Sequence, residues 1–175
     1  MNYKKWKIIA PFIIFGLCSL LHFGYTIMPN PISAIFFPVN ESIFEHMKMI
    51  YTSVLVFSLI EYFVIKKMKW DLNNLGINPF LSGLTNIFTF LIMYLIIRMF
   101  INETMVVTFI ILFISNIITS FVSYYLLLNR QIISNKLGLI LTFMMYIPFI
   151  YFTYNPIHNS LFYDPQDELY GIPKK

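Results

Sequence analysis

Charge is scarce in this chain. Only 11% of its 175 residues are Asp, Glu, Lys or Arg, against 58% hydrophobic, and the mean hydropathy is +0.72. Soluble domains carry about a quarter charged residues, so a water-soluble fold is excluded. Cysteine is scarcer still. Cys18 stands alone inside the first apolar run, so no intrachain disulfide can form, and a small core residue is its ordinary role. No internal repeat of the kind that marks inverted-repeat transporters is present. H-E-x-x-H is absent, and no Ser or Cys stands beside a histidine with nucleophile-like spacing, which argues against a covalent mechanism. A pI near 9.1 raises nucleic acid as a partner. The basic residues lie between apolar runs rather than along one exposed face, so topology accounts for them instead.

What the chain does have is five long apolar runs: Lys7–Ile27, Ser42–Ile65, Pro79–Phe100, Thr104–Leu128 and Leu137–Tyr154. Each has the roughly 17–25 residues that cross the hydrocarbon as helix. The first follows Lys4, Lys5 and Lys7 like a signal peptide, but it is too long and Tyr25-Thr26-Ile27 offers no small-residue cleavage pattern. The expected fold is all-α, a single polytopic transmembrane bundle of five spans over residues 1–175.

Orientation follows from the loops. Lys4, Lys5, Lys7, Lys66, Lys67, Lys69, Arg130 and Lys136 fall on one side. Lys48, Arg98, Lys174 and Lys175 fall on the other, with Glu41, Glu45, Glu103, Asp164, Asp167 and Glu168. Lysine and arginine gather in cytoplasmic loops, which predicts the N-terminus inside and the C-terminus outside. Ile101-Asn102-Glu103 would join the third and fourth spans as a tight hairpin. Two non-helical segments then face outward. The loop 28–41 holds Pro29, Pro31, Pro38 and the pair Phe36-Phe37, and reads as an interfacial or re-entrant segment. The tail 155–175 carries Pro156, Pro165, Pro173, Phe162, Tyr163 and Tyr170, enough aromatics to dock.

This topology gathers all three histidines and most of the acids on the outer face. His22 closes the first span, His46 opens the second, and His158 lies in the tail beside Asp164, Asp167 and Glu168. Pro38-Val39-Asn40-Glu41-Ser42-Ile43-Phe44-Glu45-His46-Met47-Lys48 is the densest polar stretch. On a helix starting near Ser42, Glu41, Glu45, Lys48 and Thr52 lie within about 60° of one another. Structure alone accounts for much of this: Ser42 and Glu45 form a capping box, Glu45 and Lys48 an i,i+3 pair, and Lys48 can snorkel. It does not account for histidines on both sides of one loop.

Two or three imidazoles with carboxylates suit zinc or a related divalent ion, with His22, Glu45, His46, His158 and Asp164 as candidate ligands. Glu41 and His46 sit about 140° apart on an ideal helix, so they cannot chelate from one unbroken face. Without metal, Glu41 or Glu45 with His46, and Lys48 as anion contact, form an acid–base set. Arg98 is a second candidate anion contact, for acids or a lipid headgroup. Glu61, near Lys66 and Lys67, reads as a snorkelled interfacial acid. The stripes Ser82, Thr85, Asn86, Thr89 and Asn116, Thr119, Ser120, Ser123 read as glue between helices.

Leu21-His22-Phe23-Gly24-Tyr25, the V-N-E-S-x-x-E-H-x-K block, Leu161-Phe162-Tyr163-Asp164-Pro165 and Tyr170-Gly171-Ile172 carry a resemblance over essentially the whole chain. It resembles an uncharacterised family of small polytopic membrane proteins from clostridia and related Gram-positive bacteria. That family commonly has Trp where Phe44 stands, Leu for Met47, and T-G-T where Asp167-Glu168-Leu169 stands here. The resemblance implies a bacterial cytoplasmic-membrane protein and no particular activity. Two readings follow: a metal-binding or acid–base pocket acting on a lipid-like or amphipathic substrate among membrane lipids, or a non-enzymatic binding or transport subunit with a membrane-protein partner not yet identified.

Overall fold

In the computed structural model, residues 2–101 and 104–173 are described. Five helical stretches are long and apolar enough to cross a membrane: Tyr3–Ile27, Ile43–Met68, Asn78–Arg98, Met105–Leu128 and Asn135–Tyr154. The shortest has 20 residues, about 30 Å of helix and so the thickness of the hydrocarbon. The first stretch comprises α1 (Tyr3–His22) and a single turn, α2 (Gly24–Ile27), with the break at Phe23. A short α3 (Pro31–Phe36) follows, then α4 (Ile43–Met68), α5 (Asn78–Arg98) and α6 (Met105–Leu128). The last stretch is split into α7 (Asn135–Met144) and α8 (Tyr146–Tyr154). Pro148 explains the split, because it has no N–H to offer the carbonyl of Met144. The expected turn Ile101-Asn102-Glu103 lies partly outside the described residues.

The helices α1, α4, α5 and α6 pack as a ring, with α1 against α4 and α6, and α5 against α4 and α6. Within the first four stretches α4 is the most enclosed, with 56% of its apolar window buried against 28–33% for the others. Outside the ring, Phe12, Phe63, Phe88, Ile92, Phe121 and many other apolar side chains are exposed, as suits a lipid-facing surface. Gly83 lets α4 and α5 approach, since a Cβ there would lie 2.5 Å from the Tyr51 ring. That ring cannot retreat easily, because its hydroxyl donates to the Thr142 carbonyl at 2.9 Å.

The loop 28–41 folds back as α3 against α4 and α8. Asn30 caps it, accepting from Ile32 N and Ser33 N. Phe36 packs edge-on against Tyr146, and Phe37 lies over Gly24, where a Cβ would collide with its ring. The tail ends in a minimal antiparallel ladder, β1 (Tyr163–Asp164) with β2 (Leu169–Tyr170).

Glu61 is not a snorkelled acid. It is 1% exposed and grips Lys7 of α1, whose Nζ lies 2.7 Å from Oε1 and 2.8 Å from Oε2. Trp6 Nε1 adds a third donor at 3.0 Å. Burial decides this: a carboxylate in the bundle takes the partner that is desolvated with it, not Lys66 or Lys67 at the rim. Lys7 is therefore a bundle residue rather than a loop charge.

Candidate functional site

The end of α1, the loop before α4 and the first turns of α4 meet at one face of the ring. Ser42 starts α4: its Oγ accepts from Glu45 N at 3.4 Å, which is half of the expected capping box. The other half is absent, because Ser42 N donates instead to Asn40 Oδ1 at 2.9 Å. Glu41 thus lies ahead of the helix, and the 140° separation that applies within a helix does not constrain it. Its backbone N–H donates to Asp164 Oδ2 at 2.9 Å, and its side chain swings back over the first turn.

There Glu41 meets both histidines. Its Oε1 is 3.2 Å from His22 Nε2 and its Oε2 is 3.5 Å from His46 Nε2. The rings of His22 and His46 are 5.5 Å apart between centres. One ligand atom from each of His22, Glu41 and His46 lies within 4.8 Å of the others. All three side chains are a quarter to a third exposed, so solvent and solutes reach them. His46 Nδ1 lies 2.9 Å from the Ser42 carbonyl. A carbonyl only accepts, so Nδ1 carries a proton there, and Nε2 is the ring nitrogen turned to Glu41. The hydrogen bond from His22 holds the Glu41 carboxyl below its usual value, partial burial working against it and the charge of the histidines adding to it. Glu41 is anionic at neutral pH.

Glu45 and Lys48 are one helical turn away and turn inward. Lys48 is fully buried; its Nζ donates to Ala34 O at 2.8 Å, Thr153 Oγ1 at 3.0 Å and Glu45 Oε2 at 2.5 Å. Those bonds use all three ammonium protons. Glu45 is 2% exposed; it also accepts from Val39 N at 3.0 Å and Thr153 Oγ1 at 2.7 Å. The pair ties α3, the loop, α4 and α8 together beneath the histidines.

The tail closes the loop from the other side. Asp164 is completely buried, and besides Glu41 N it binds Gln166 N at 2.8 Å and Asp167 N at 3.3 Å through Oδ1. Asn40 Nδ2 donates to Gly171 O at 2.7 Å, and Phe44 N to Leu161 O at 3.0 Å. Phe44 and Phe162 rings lie 4.6 Å apart. His158 is exposed and stacks on Tyr170 at 4.4 Å. Arg98 ends α5, with its guanidinium 6.0 Å from the Tyr94 ring centre.

Of the residues picked out by sequence, His22, Glu41 and His46 come together. Glu45, Lys48, His158, Asp164 and Arg98 lie outside that group among the described residues. Thr153, Ala34 and Asn40 were not anticipated. Their roles depend on contacts across 14 to 131 residues, for which the sequence carries no local signal.

No curated protein and no solved structure matches the chain. A family model does, over residues 1–172, and the chain belongs to the family of unknown function DUF6512.

Proposed function

We propose that His22, Glu41 and His46 bind a divalent metal ion at the membrane surface, and that the centre acts on a lipid-like or amphipathic substrate. The observation that carries this is the spacing of the three ligand atoms. Bonds of about 2.1 Å to a tetrahedral zinc place neighbouring ligand atoms about 3.4 Å apart. Here His22 Nε2 is 3.2 Å from Glu41 Oε1 and His46 Nε2 is 3.5 Å from Oε2, each imidazole facing its own carboxylate oxygen. One ligand atom from each residue lies within 4.8 Å of the others, close enough to converge on one ion. Two imidazoles and one carboxylate are the ligand set of open catalytic zinc sites, which keep a position for water or substrate. The Ser42 carbonyl on His46 Nδ1 is the outer partner such a ligand ordinarily has. With Nδ1 turned to that carbonyl, His46 Nε2 faces the Glu41 carboxylate, the side on which a shared cation would be held.

A bound divalent ion would supply Lewis acidity and acidify a bound water. The chain's own residues do the rest. Asp164 and Asn40 hold the backbone of Glu41, and the Lys48–Glu45 pair holds the floor beneath it. Phe23, Ile27, Met28 and Ile32 are exposed close by in sequence, on α2, α3 and the turns flanking α2, which favours a substrate that partitions into the membrane.

We place this face outward. Setting aside Lys7 and Lys48, buried in ion pairs, seven basic residues remain at the opposite ends of the spans against three. Reporter fusions at each terminus test the orientation. Calorimetric titration of the detergent-solubilised protein with zinc tests the site. One equivalent bound by the wild type and none by His46→Ala is the expected result; equal binding by both sinks the assignment.

A further inference from the structure

The opposite half of the bundle holds a second polar site, built around the Lys7–Glu61 pair. Ser123 Oγ accepts from Lys7 Nζ at 2.6 Å and donates to Asn78 Oδ1 at 2.8 Å, which also receives Ser82 Oγ at 3.1 Å. Beside this chain lies a cavity of about 10 Å³, lined by Lys7, Ser58, Ser82, Thr119, Ser120 and Ser123 together with Ile14, Val54 and Phe57. Two of the lining hydroxyls, Thr119 Oγ1 and Ser120 Oγ, have no hydrogen-bond partner among the described residues, although Thr119 is 1% exposed and Ser120 4%.

We propose that this cavity is a binding site for one water molecule, held by the Thr119 and Ser120 hydroxyls and the polar groups of the Lys7–Ser123–Ser82 chain. Size sets the first limit: roughly 10–15 Å³ accommodates a single water and nothing larger. Charge sets the second. Lys7 and Glu61 neutralise each other, so no net field draws an ion, and the lysine ammonium already occupies the place of a cation. Hydrogen bonding makes the positive case. Buried polar groups are almost always paired, and a water with two to four partners is how an internal membrane cavity with free hydroxyls satisfies them. The polar stripes on α5 and α6 are then more than glue between helices. Ser82, Thr119, Ser120 and Ser123 hold that one water beside an ion pair inside the span, where ionisable groups ordinarily mark function.

Thr119→Val tests this through the sign of its effect, since it removes the hydroxyl and keeps the shape. With a bound water, Thr119→Val lowers the melting temperature of the detergent-solubilised protein by about 2–4 °C. Ser120→Ala does the same, and the double variant falls short of the sum because both lose one shared water. With a dry cavity, Thr119→Val deletes an unpaired buried hydroxyl, and the melting temperature holds or rises, which overturns the proposal. A high-resolution structure of the wild-type protein gives an independent answer: a water peak within hydrogen-bond distance of both hydroxyls supports it, and an empty cavity contradicts it.

Discussion

Lys48→Met isolates a buried carboxylate, and its cost follows from the contacts. Lys48 and Glu45 are 0% and 2% exposed, so neither has water to fall back on. With methionine at 48, Glu45 keeps Val39 N and Thr153 Oγ1 but loses the lysine cation, and Ala34 O loses its donor. Breaking one side of a buried pair costs about 3–5 kcal/mol. At about 2–4 °C per kcal/mol for a chain of this size, melting falls by roughly 6–20 °C. Glu45→Gln/Lys48→Met removes both charges and recovers part of that loss, the coupling being about 0.5–3 kcal/mol. Thermal unfolding in micelles measures both, and protease cleavage within 28–41 reports whether the loop has lost its anchor. A loss below about 1 kcal/mol for Lys48→Met is what an exposed pair gives, and it would refute the burial argument. A double variant worse than Lys48→Met would refute the pairing.

Two further outcomes bear on the histidine site. Asp164→Asn leaves all three proposed ligands in place but weakens the hold on Glu41, so zinc affinity falls about 10–100-fold, as it does for other outer-sphere changes. His158→Ala leaves affinity unchanged; a reversed ranking in the same titration would remove Asp164 from its positioning role. Zinc binding also weakens as pH falls between about 7.5 and 5.5, because protons compete with the metal for the two imidazoles. Glu41 adds no proton penalty there. Its folded pKa is lowered, so the stability it contributes is present above the ordinary carboxylate value, about 4.3, and is lost as pH falls through the lower folded value. Affinity that stays flat between pH 7.5 and 5.5 would mean that the imidazoles are not ligands.

The spans were legible because the bilayer imposes one length on every apolar helix, and the shared face of His22 and His46 followed from counting crossings. The i,i+3 pair Glu45–Lys48 was legible too, being local. The meeting of Glu41 with His46 was not. An ideal helix would separate them; they meet because Ser42 caps α4 and leaves Glu41 ahead of it, with its N–H held by Asp164, 123 residues away. Glu61 was misread for the same reason: its partner Lys7 is 54 residues off, while Lys66 and Lys67 stand next door. Pairing inside a membrane is chosen by shared burial, which neighbouring sequence does not encode.

Metal content of the protein purified from its native membrane without chelators is the most direct measurement. The account predicts close to one divalent ion per chain in the wild type, absent from Glu41→Gln and from His46→Ala while both remain folded. A metal-free wild-type protein, or a metal retained by both variants, would contradict it.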